Sequence, residues 1–137
     1  PSDALVYLYD IYPTLCGLAG LPVPEGVEGK NLVGVIRGKS EKIRDHLFTA
    51  YMQDQRTIRD DRWKLFYRKG EDRVALYDLK NDPHELNDLA KRHPDRVKTM
   101  AAKWFGLAKN TERLKGRHLN PVKPGLTKLN FRKDIFK

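Results

Sequence analysis

Apolar residues recur at helical spacing near the start of the chain. In SDALVYLYDIYPTLCGLAG the apolar positions are Leu5, Leu8, Ile11, Tyr12, Leu15, Leu18 and Ala19. Intervals of three and four residues place them on one face of a helix, with Ser2 or Asp3 as its N-cap and Gly20 as its stop. Pro13 interrupts the pattern, so it either kinks one long helix or marks the first turn of a shorter helix capped by Asp10.

A strand-like pattern replaces the helical one from His46 onward. The runs HLFTAYM, RTIRDD, WKLFYRK and VALYDLK are rich in aromatic and branched residues and are separated by polar breaks. In WKLFYR one face holds Trp63, Leu65 and Tyr67, and the other holds Lys64, Phe66 and Arg68. Alternation of this kind is typical of a sheet with one buried face. The pattern predicts an antiparallel meander of about four strands.

The stretch YDLKNDPHELNDLA predicts a joint between the last strand and a helix. Asn81-Asp82-Pro83 ends the strand, because proline cannot donate to a sheet ladder. Glu85 and Asp88 favour the N-terminus of a short helix whose buried stripe is Leu86, Leu89 and Ala90.

A second helix is predicted from Pro94 or Asp95. Its apolar face would hold Val97, Met100, Ala101, Trp104, Leu107 and Ala108. The fold class expected from these elements is α+β: an N-terminal helix, a small antiparallel β-sheet of about four strands, and C-terminal helices packed on one face.

Charge is concentrated at the end of the chain. The 137 residues carry a net charge of +9, and residues 109–137 hold nine Lys or Arg against Glu112 and Asp134. This segment has no sustained period, which indicates a basic extended tail. A contact with a polyanion is the functional alternative. Nucleic acid is disfavoured, because no regularly interleaved aromatic residues provide a stacking platform.

The single cysteine and the hydropathy argue against a disulfide-bonded protein and a membrane-spanning protein. Cys16 has no second cysteine to pair with, and it is predicted to be a small core residue. No apolar run reaches the roughly 18 residues of a membrane span, so no membrane contact is expected. The chain also lacks the charged, apolar and small-residue segments of a signal peptide.

Three motifs in this order closely resemble the C-terminal part of type I sulfatases, in the alkaline-phosphatase-like superfamily. The first is D-x-x-P-T-L-x-x-x-A-G, matched by Asp10, Pro13, Thr14, Leu15, Ala19 and Gly20. The second is R-x-x-x-W-K-L, matched by Arg59, Trp63, Lys64 and Leu65. The third is L-Y-D-L-x-x-D-P-x-E-x-x-x-L-A, complete from Leu76 to Ala90. The resemblance covers about residues 4–108.

The resemblance implies a domain organisation. Residues 1–45 would be the end of the catalytic-domain region, residues 46–110 the sulfatase C-terminal subdomain, and residues 111–137 the basic tail. The partner of the chain would be the missing N-terminal catalytic domain of a longer protein, the parent enzyme. If so, the apolar face along Leu5, Leu8, Ile11, Leu15 and Leu18 should be exposed, because it would pack into that domain.

The resemblance also implies an activity that this chain lacks by itself. Such enzymes hydrolyse sulfate esters with a formylglycine made from Cys or Ser in a Cys/Ser-x-Pro-x-Arg motif, beside a calcium ion. Cys16 is followed by Gly-Leu-Ala-Gly instead, and His46, His84, His93 and His118 are too scattered for a metal site. Asp60-Asp61 and Asp78 with Asp82 are interpreted as turn-forming residues. No cofactor is therefore expected here, while calcium and formylglycine are expected in the parent enzyme.

We predict from these observations that the chain is the C-terminal part of a sulfuric ester hydrolase of sulfated glycans. It would support the catalytic domain and complete the substrate cleft. Two alternatives remain: a small basic polyanion-binding module, and the C-terminal part of a related phosphodiesterase or phosphonate hydrolase. A periplasmic, secreted or lysosomal location is expected from the resemblance.

Candidate substrate-binding residues lie near the turn between the first two predicted strands. They are Tyr51, Gln53, Gln55 and Arg56, together with His46, which begins the strand leading to this turn. Tyr can stack on a sugar, Gln can bond hydroxyl groups, and Arg can hold a sulfate or carboxylate bidentately. The alternative interpretation is an ordinary strand edge with solvated polar side chains.

Overall fold

A computed structural model describes the backbone of residues 2–52, 55–68 and 73–112, and the side chains as far as Trp104. The chain divides into two compact units, residues 1–47 and residues 48–137. The basic tail predicted for residues 111–137 lies almost entirely outside the described residues. No helix in the described part of the chain is long and apolar enough to cross a membrane.

The first unit contains one 3-10 turn and two short helices. The turn is Leu8–Asp10, helix α1 is Ile11–Leu18, and helix α2 is Val33–Ile36. The prediction of one long helix is wrong, because Tyr7 is extended, with φ −105° and ψ 156°. The shorter helix is confirmed, with Asp10 at the N-cap position and Pro13 in the first turn. Gly20 has φ +69°, as expected for the residue that ends a helix.

The second unit begins with a four-stranded antiparallel sheet, as predicted. Its strands are β1 (Leu47–Tyr51), β2 (Gln55–Arg59), β3 (Trp63–Arg68) and β4 (Arg73–Asp78), in the order β1-β2-β3-β4. Ile58 lies opposite Leu65, and Leu65 lies opposite Leu76. The meander therefore aligns the apolar residues of three strands across one face.

Helix α3 (Pro94–Glu112) packs on this apolar face. The core it forms with the sheet consists of Ile58, Trp63, Leu65, Tyr67, Leu76, Val97, Met100, Ala101 and Trp104. The Trp104 ring lies 5.7 Å from the Tyr67 ring and 6.2 Å from the Phe48 ring, measured between centroids. Each fully buried aliphatic side chain of this kind stabilises the fold by about 1.5–3 kcal/mol. The helical stripe predicted for residues 97–104 is confirmed.

The helix predicted after Pro83 does not form. The Asp82 carboxylate accepts hydrogen bonds from the backbone N–H of Leu86 (3.1 Å) and Asn87 (2.8 Å), and Glu85 has a left-handed φ of +57°. A side-chain acceptor of this kind competes with helical hydrogen bonds. Leu86 is 78% exposed, whereas Leu89 packs against the core. The described part of the chain thus has a single C-terminal helix, α3, on the sheet.

Candidate functional site

The predicted substrate-binding residues lie at the turn that joins β1 to β2. Tyr51 is the last residue of β1 and is 61% exposed, and Gln55 is the first residue of β2 and is half-buried. His46 is half-buried immediately before β1. Gln53 lies outside the described residues. The substrate-binding role assigned to these residues stays a prediction.

Strand alternation separates the side chains of the sheet into two faces. The inner face packs against α3, and the outer face is the opposite one. The outer face consists of Leu47, Thr49, Tyr51, Gln55, Thr57, Arg59, Lys64, Phe66, Arg68, Arg73, Ala75 and Tyr77. The hydroxyl groups of Thr49 and Thr57 lie 2.7 Å apart, which confirms that β1 and β2 present these residues on the same side.

Arg56 lies on the inner face, unlike Tyr51 and Gln55. It is only 3% exposed, and its Nη1 donates to the backbone carbonyl oxygens of Met52 (3.2 Å) and Gln55 (2.6 Å). Met52 has φ +48°, so the guanidinium holds a turn that contains a left-handed residue. Binding a sulfate with Arg56 would require the guanidinium to leave these carbonyl groups.

A row of polar residues crosses the outer face beside the β1–β2 turn. Gln55 lies directly opposite Arg68 on β3, and Arg68 lies directly opposite Arg73 on β4. Arg73 is exposed and Arg68 is half-buried. Neither arginine is among the substrate-binding residues predicted from the sequence, although the alternation in WKLFYR places Arg68 on the polar face.

A second row crosses the same face at the other end of the strands. Arg59 lies opposite Lys64, and Lys64 lies opposite Tyr77. The Lys64 Nζ donates to both carboxylate oxygens of Glu85, at 2.7 and 2.8 Å. Glu85, which has a left-handed backbone, therefore lies in a loop, and its side chain reaches the sheet.

The outer face combines positive charge with aromatic surface. Its cations are Arg59, Lys64, Arg68 and Arg73, and its aromatic residues are Tyr51, Phe66 and Tyr77. Guanidinium and ammonium groups bind sulfate, carboxylate or phosphate, and aromatic rings stack on sugar faces. Of these cations, Lys64 is already paired with Glu85.

The acidic residues of the stretch YDLKNDPHELNDLA hold this part of the structure together. Asp78 is buried and pairs bidentately with Arg62, with distances of 3.0 and 2.7 Å, and its Oδ2 also accepts from Asn81 at 2.9 Å. The hydrogen bonds from Arg62 hold the pKa of Asp78 at about 2, below its ordinary value of 3.8. Asp88 accepts a hydrogen bond from the N–H of Leu76 at 3.1 Å.

The D-x-x-P-T motif ties the first unit together through a buried carboxylate. Asp10 is fully buried and pairs bidentately with Arg44, and it accepts hydrogen bonds from the N–H of Tyr7 (2.7 Å) and Lys30 (2.8 Å). Burial raises the pKa of Asp10, but the bonds from Arg44, Lys30 and Tyr7 outweigh it and lower the pKa to about 2. Thr14, one turn further on, accepts from the N–H of Leu32 at 2.9 Å. No local pattern in the sequence indicates this role of Asp10 or singles out Arg44 as its partner.

The apolar stripe of α1 faces outward. The buried residues of the helix are Pro13, Thr14 and Cys16, whereas the exposed apolar residues of this unit include Leu8, Tyr9, Ile11, Tyr12, Leu15, Leu18 and Leu21. Exposure of the predicted surface is confirmed for Leu8, Ile11, Leu15 and Leu18. It is wrong for Leu5, which is buried and whose carbonyl accepts from Arg44 at 3.3 Å. Cys16 is buried, as predicted.

The residues that the structure describes do not fit a calcium ion or a formylglycine. In residues 2–52, 55–68 and 73–112, no group of three or more His, Cys, Asp or Glu side chains is placed to hold a metal ion. Asp10 and Asp78 are engaged by arginines, and Asp60 accepts from the N–H of Arg62 (3.0 Å) and Trp63 (2.6 Å). Cys16 lacks the neighbouring Pro and Arg of the nucleophile motif.

Comparison with protein families gives a match over most of the chain. The family described as "N-sulphoglucosamine sulphohydrolase, C-terminal" matches residues 1–111. Arylsulfatase K of Xenopus laevis is 30% identical over 116 residues, which is 74% of this chain and 22% of that protein. The Delta 4,5-hexuronate-2-O-sulfatase of Bacteroides thetaiotaomicron is 33% identical over 90 residues, or 60% of this chain and 19% of that protein.

Solved structures extend the comparison to a related class of enzyme. The crystal structure of the phosphonate monoester hydrolase of Agrobacterium radiobacter aligns with a TM-score of 0.58 and 29% identity. The alignment covers 74% of this chain and 24% of that one. The chain thus spans about a fifth to a quarter of the length of these relatives.

Proposed function

This chain belongs to the family of sulfatase C-terminal regions, and we propose that its parent enzyme is a sulfuric ester hydrolase of sulfated glycans. The observation that carries the proposal is the family match over residues 1–111. The relative from Bacteroides thetaiotaomicron, a Delta 4,5-hexuronate-2-O-sulfatase, supports a glycan substrate.

The role of this chain in the parent enzyme is support and substrate binding. Catalysis is assigned to an N-terminal catalytic domain, because the family match is to a C-terminal region only and Cys16 lacks the Pro and Arg of the formylglycine motif. Formylglycine would supply the nucleophile in that domain, and calcium would bind the sulfate. We also propose a periplasmic, secreted or lysosomal location for the parent enzyme, which is tested by fractionating the source cells.

The apolar surface of the first unit is the proposed contact with the catalytic domain. It consists of Leu8, Ile11, Tyr12, Leu15 and Leu18, which are each between 48% and 83% exposed. A contiguous exposed apolar surface of this kind typically marks an interface. The polar and proline residues on the other side of α1 already bind the segment around Lys30 and Leu32, so the outward stripe is the part of this helix that needs a partner.

A phosphonate or phosphodiester hydrolase is the second candidate. It is favoured by the structural likeness to phosphonate monoester hydrolase, which is 29% identical over the aligned part. The residues that would distinguish the two esters belong to the catalytic domain, so the fold of this chain is compatible with both.

The test is a substrate comparison with the parent enzyme. We expect hydrolysis of 4-methylumbelliferyl sulfate and of sulfated glycosaminoglycan disaccharides, together with loss of activity when calcium is removed by a chelator. The control is phenylphosphonate monoester hydrolysis under the same conditions. Faster turnover of the phosphonate than of every sulfate ester would replace the proposed function with the second candidate.

A further inference from the structure

The segment that leads into helix α3 carries an excess of exposed positive charge. Residues 91–98 contain the cations Lys91, Arg92, Arg96 and Lys98 and a single acidic residue, Asp95, and all five are exposed. Lys98 pairs with Asp95 at 3.4 Å. In the part of the chain that the structure describes, no carboxylate pairs with the other three cations. This end of the helix therefore presents net positive charge to solvent.

An aromatic ring holds the Arg96 guanidinium in position. The Arg96 Cζ lies 5.4 Å from the centroid of the Trp63 ring, and Trp63 is only 7% exposed within the core under α3. A cation over an indole ring is attracted by the negative face of the ring. No described residue accepts a hydrogen bond from this guanidinium, so its N–H groups remain available to a ligand.

Two further groups surround the same ring. The Arg62 Cζ lies 5.1 Å from the Trp63 centroid, and Asp78 balances its charge. The His93 ring lies 5.3 Å away at an angle of 61°, directly before the first turn of α3. The positive end of the helix dipole disfavours a cation such as Arg96 in that turn, so a bound anion would stabilise this arrangement.

We propose that Lys91, Arg92 and Arg96 form a basic docking surface for the chain of a sulfated glycan. The choice of a sulfated glycan rests on the proposed function. Charge complementarity supports it, because sulfate groups recur along such a chain and a guanidinium binds their oxygens bidentately. Nucleic acid fits this surface less well, since the buried Trp63 ring cannot stack on a base.

The experiment is a calorimetric titration of this chain with a heparin octasaccharide at several salt concentrations. We expect Arg96→Gln to raise the Kd about tenfold, as the loss of a charge-assisted hydrogen bond does. The salt dependence of binding should become shallower by about one released counterion. Arg96→Lys, which keeps the charge but loses the bidentate geometry, should give an intermediate Kd.

The matched control is Arg37→Gln. Arg37 is also exposed, but it lies in the first unit, directly after α2. This variant loses the same charge and should bind the octasaccharide with the Kd of the wild type. The control therefore separates an effect of position from a general effect of net charge.

Each result has a definite meaning for the basic docking surface. A raised Kd with Arg96→Gln but not with Arg37→Gln, at an unchanged melting temperature, supports it. An equal rise in both variants overturns it, because binding then follows net charge alone. An unchanged Kd in Arg96→Gln also overturns it, and weaker binding by Lys115→Gln with Arg117→Gln would then assign the contact to the basic tail.

Two further comparisons test the partner itself. Equal affinity for a single-stranded oligonucleotide of the same charge would overturn a sulfated glycan as the specific partner. Binding is measured without turnover, whereas the proposed function is tested by hydrolysis in the parent enzyme. Either one can therefore fail while the other holds.

Discussion

Replacement of the buried Asp10 carboxylate should destabilise the first unit strongly. Asp10 is fully buried, pairs bidentately with Arg44, and accepts from the backbone N–H of Tyr7 and Lys30. Asp10→Asn keeps the shape but leaves the Arg44 guanidinium buried without a counter-charge. Breaking a buried pair in this way costs about 3–5 kcal/mol, which is a large part of the stability of an ordinary domain.

Hydrogen exchange at two amides measures this effect directly. The N–H groups of Tyr7 and Lys30 donate to Asp10, so their protection reports the opening of this unit. If the free energy of opening of this unit falls by about 3 kcal/mol, exchange of both amides should become about 150-fold faster. Asp3→Asn, an exposed carboxylate in the same unit, is the matched control and should leave both rates unchanged.

The protection factor of these amides, which is the exchange rate relative to that of the unfolded chain at the same pH, should depend on pH through the pKa of Asp10. The folded-state pKa is about 2 and the ordinary value is 3.8, so the folded state holds this carboxylate in its charged form. The contribution to stability is therefore complete above about pH 4 and is lost as the pH falls from 3.8 towards 2. Asp10→Asn should remove this dependence. Protection of Tyr7 and Lys30 within about twofold of wild type in Asp10→Asn would refute the assignment of a supporting role to the pair.

Three further substitutions test other parts of the structure. Gly29→Ala should lower the free energy of unfolding, measured in urea, by about 1–3 kcal/mol, because the added Cβ would overlap the Tyr9 carbonyl and lie 2.9 Å from the Pro13 ring. An unchanged free energy of unfolding would show that the surrounding residues move to make room for the added methyl group. Leu15→Gln should reduce binding of a hydrophobic dye to this chain, since Leu15 is 57% exposed. Dye binding equal to that of the wild type would show that Leu15 is not part of the apolar surface of the first unit. Arg56→Ala should lower the free energy of unfolding by about 1–3 kcal/mol, because a buried donor to two carbonyl groups is lost. A raised KM for an anionic glycan with unchanged stability would instead support the substrate-binding interpretation of Arg56.

Much of the second unit could be predicted from alternation and spacing. Buried and exposed residues alternate along β3, and buried residues of α3 recur every three or four positions. These are the periods of a strand and a helix, so the strand faces, the four-stranded meander and the buried stripe of α3 can be predicted from the sequence. The segment after Pro83 could not be predicted in this way. The Asp82 carboxylate there accepts hydrogen bonds from the N–H groups of Leu86 and Asn87 and so stabilises a loop. Helix propensity does not show whether an acidic residue will cap a helix or hold such a loop.

The candidate site was likewise only partly predictable from the sequence. The polar face of β3 was visible in the sequence, but the pairing of Arg68 with Arg73 depends on the register of two strands. Arg56 was grouped with Tyr51 and Gln55 because the three are close in sequence. Alternation places Arg56 on the opposite face, under the helix, where it holds the turn at Met52.

The sequence by itself determined the class of fold, the position of the sheet and the family to which the chain belongs, because these depend on local period and on motifs that can be read in order. Only the tertiary structure decided what the motif residues do. Asp10 and Arg44 are 34 positions apart, and Arg62 and Asp78 are 16 apart. Such pairs form when folding brings distant segments together and removes water from between them, and no local pattern records that distance.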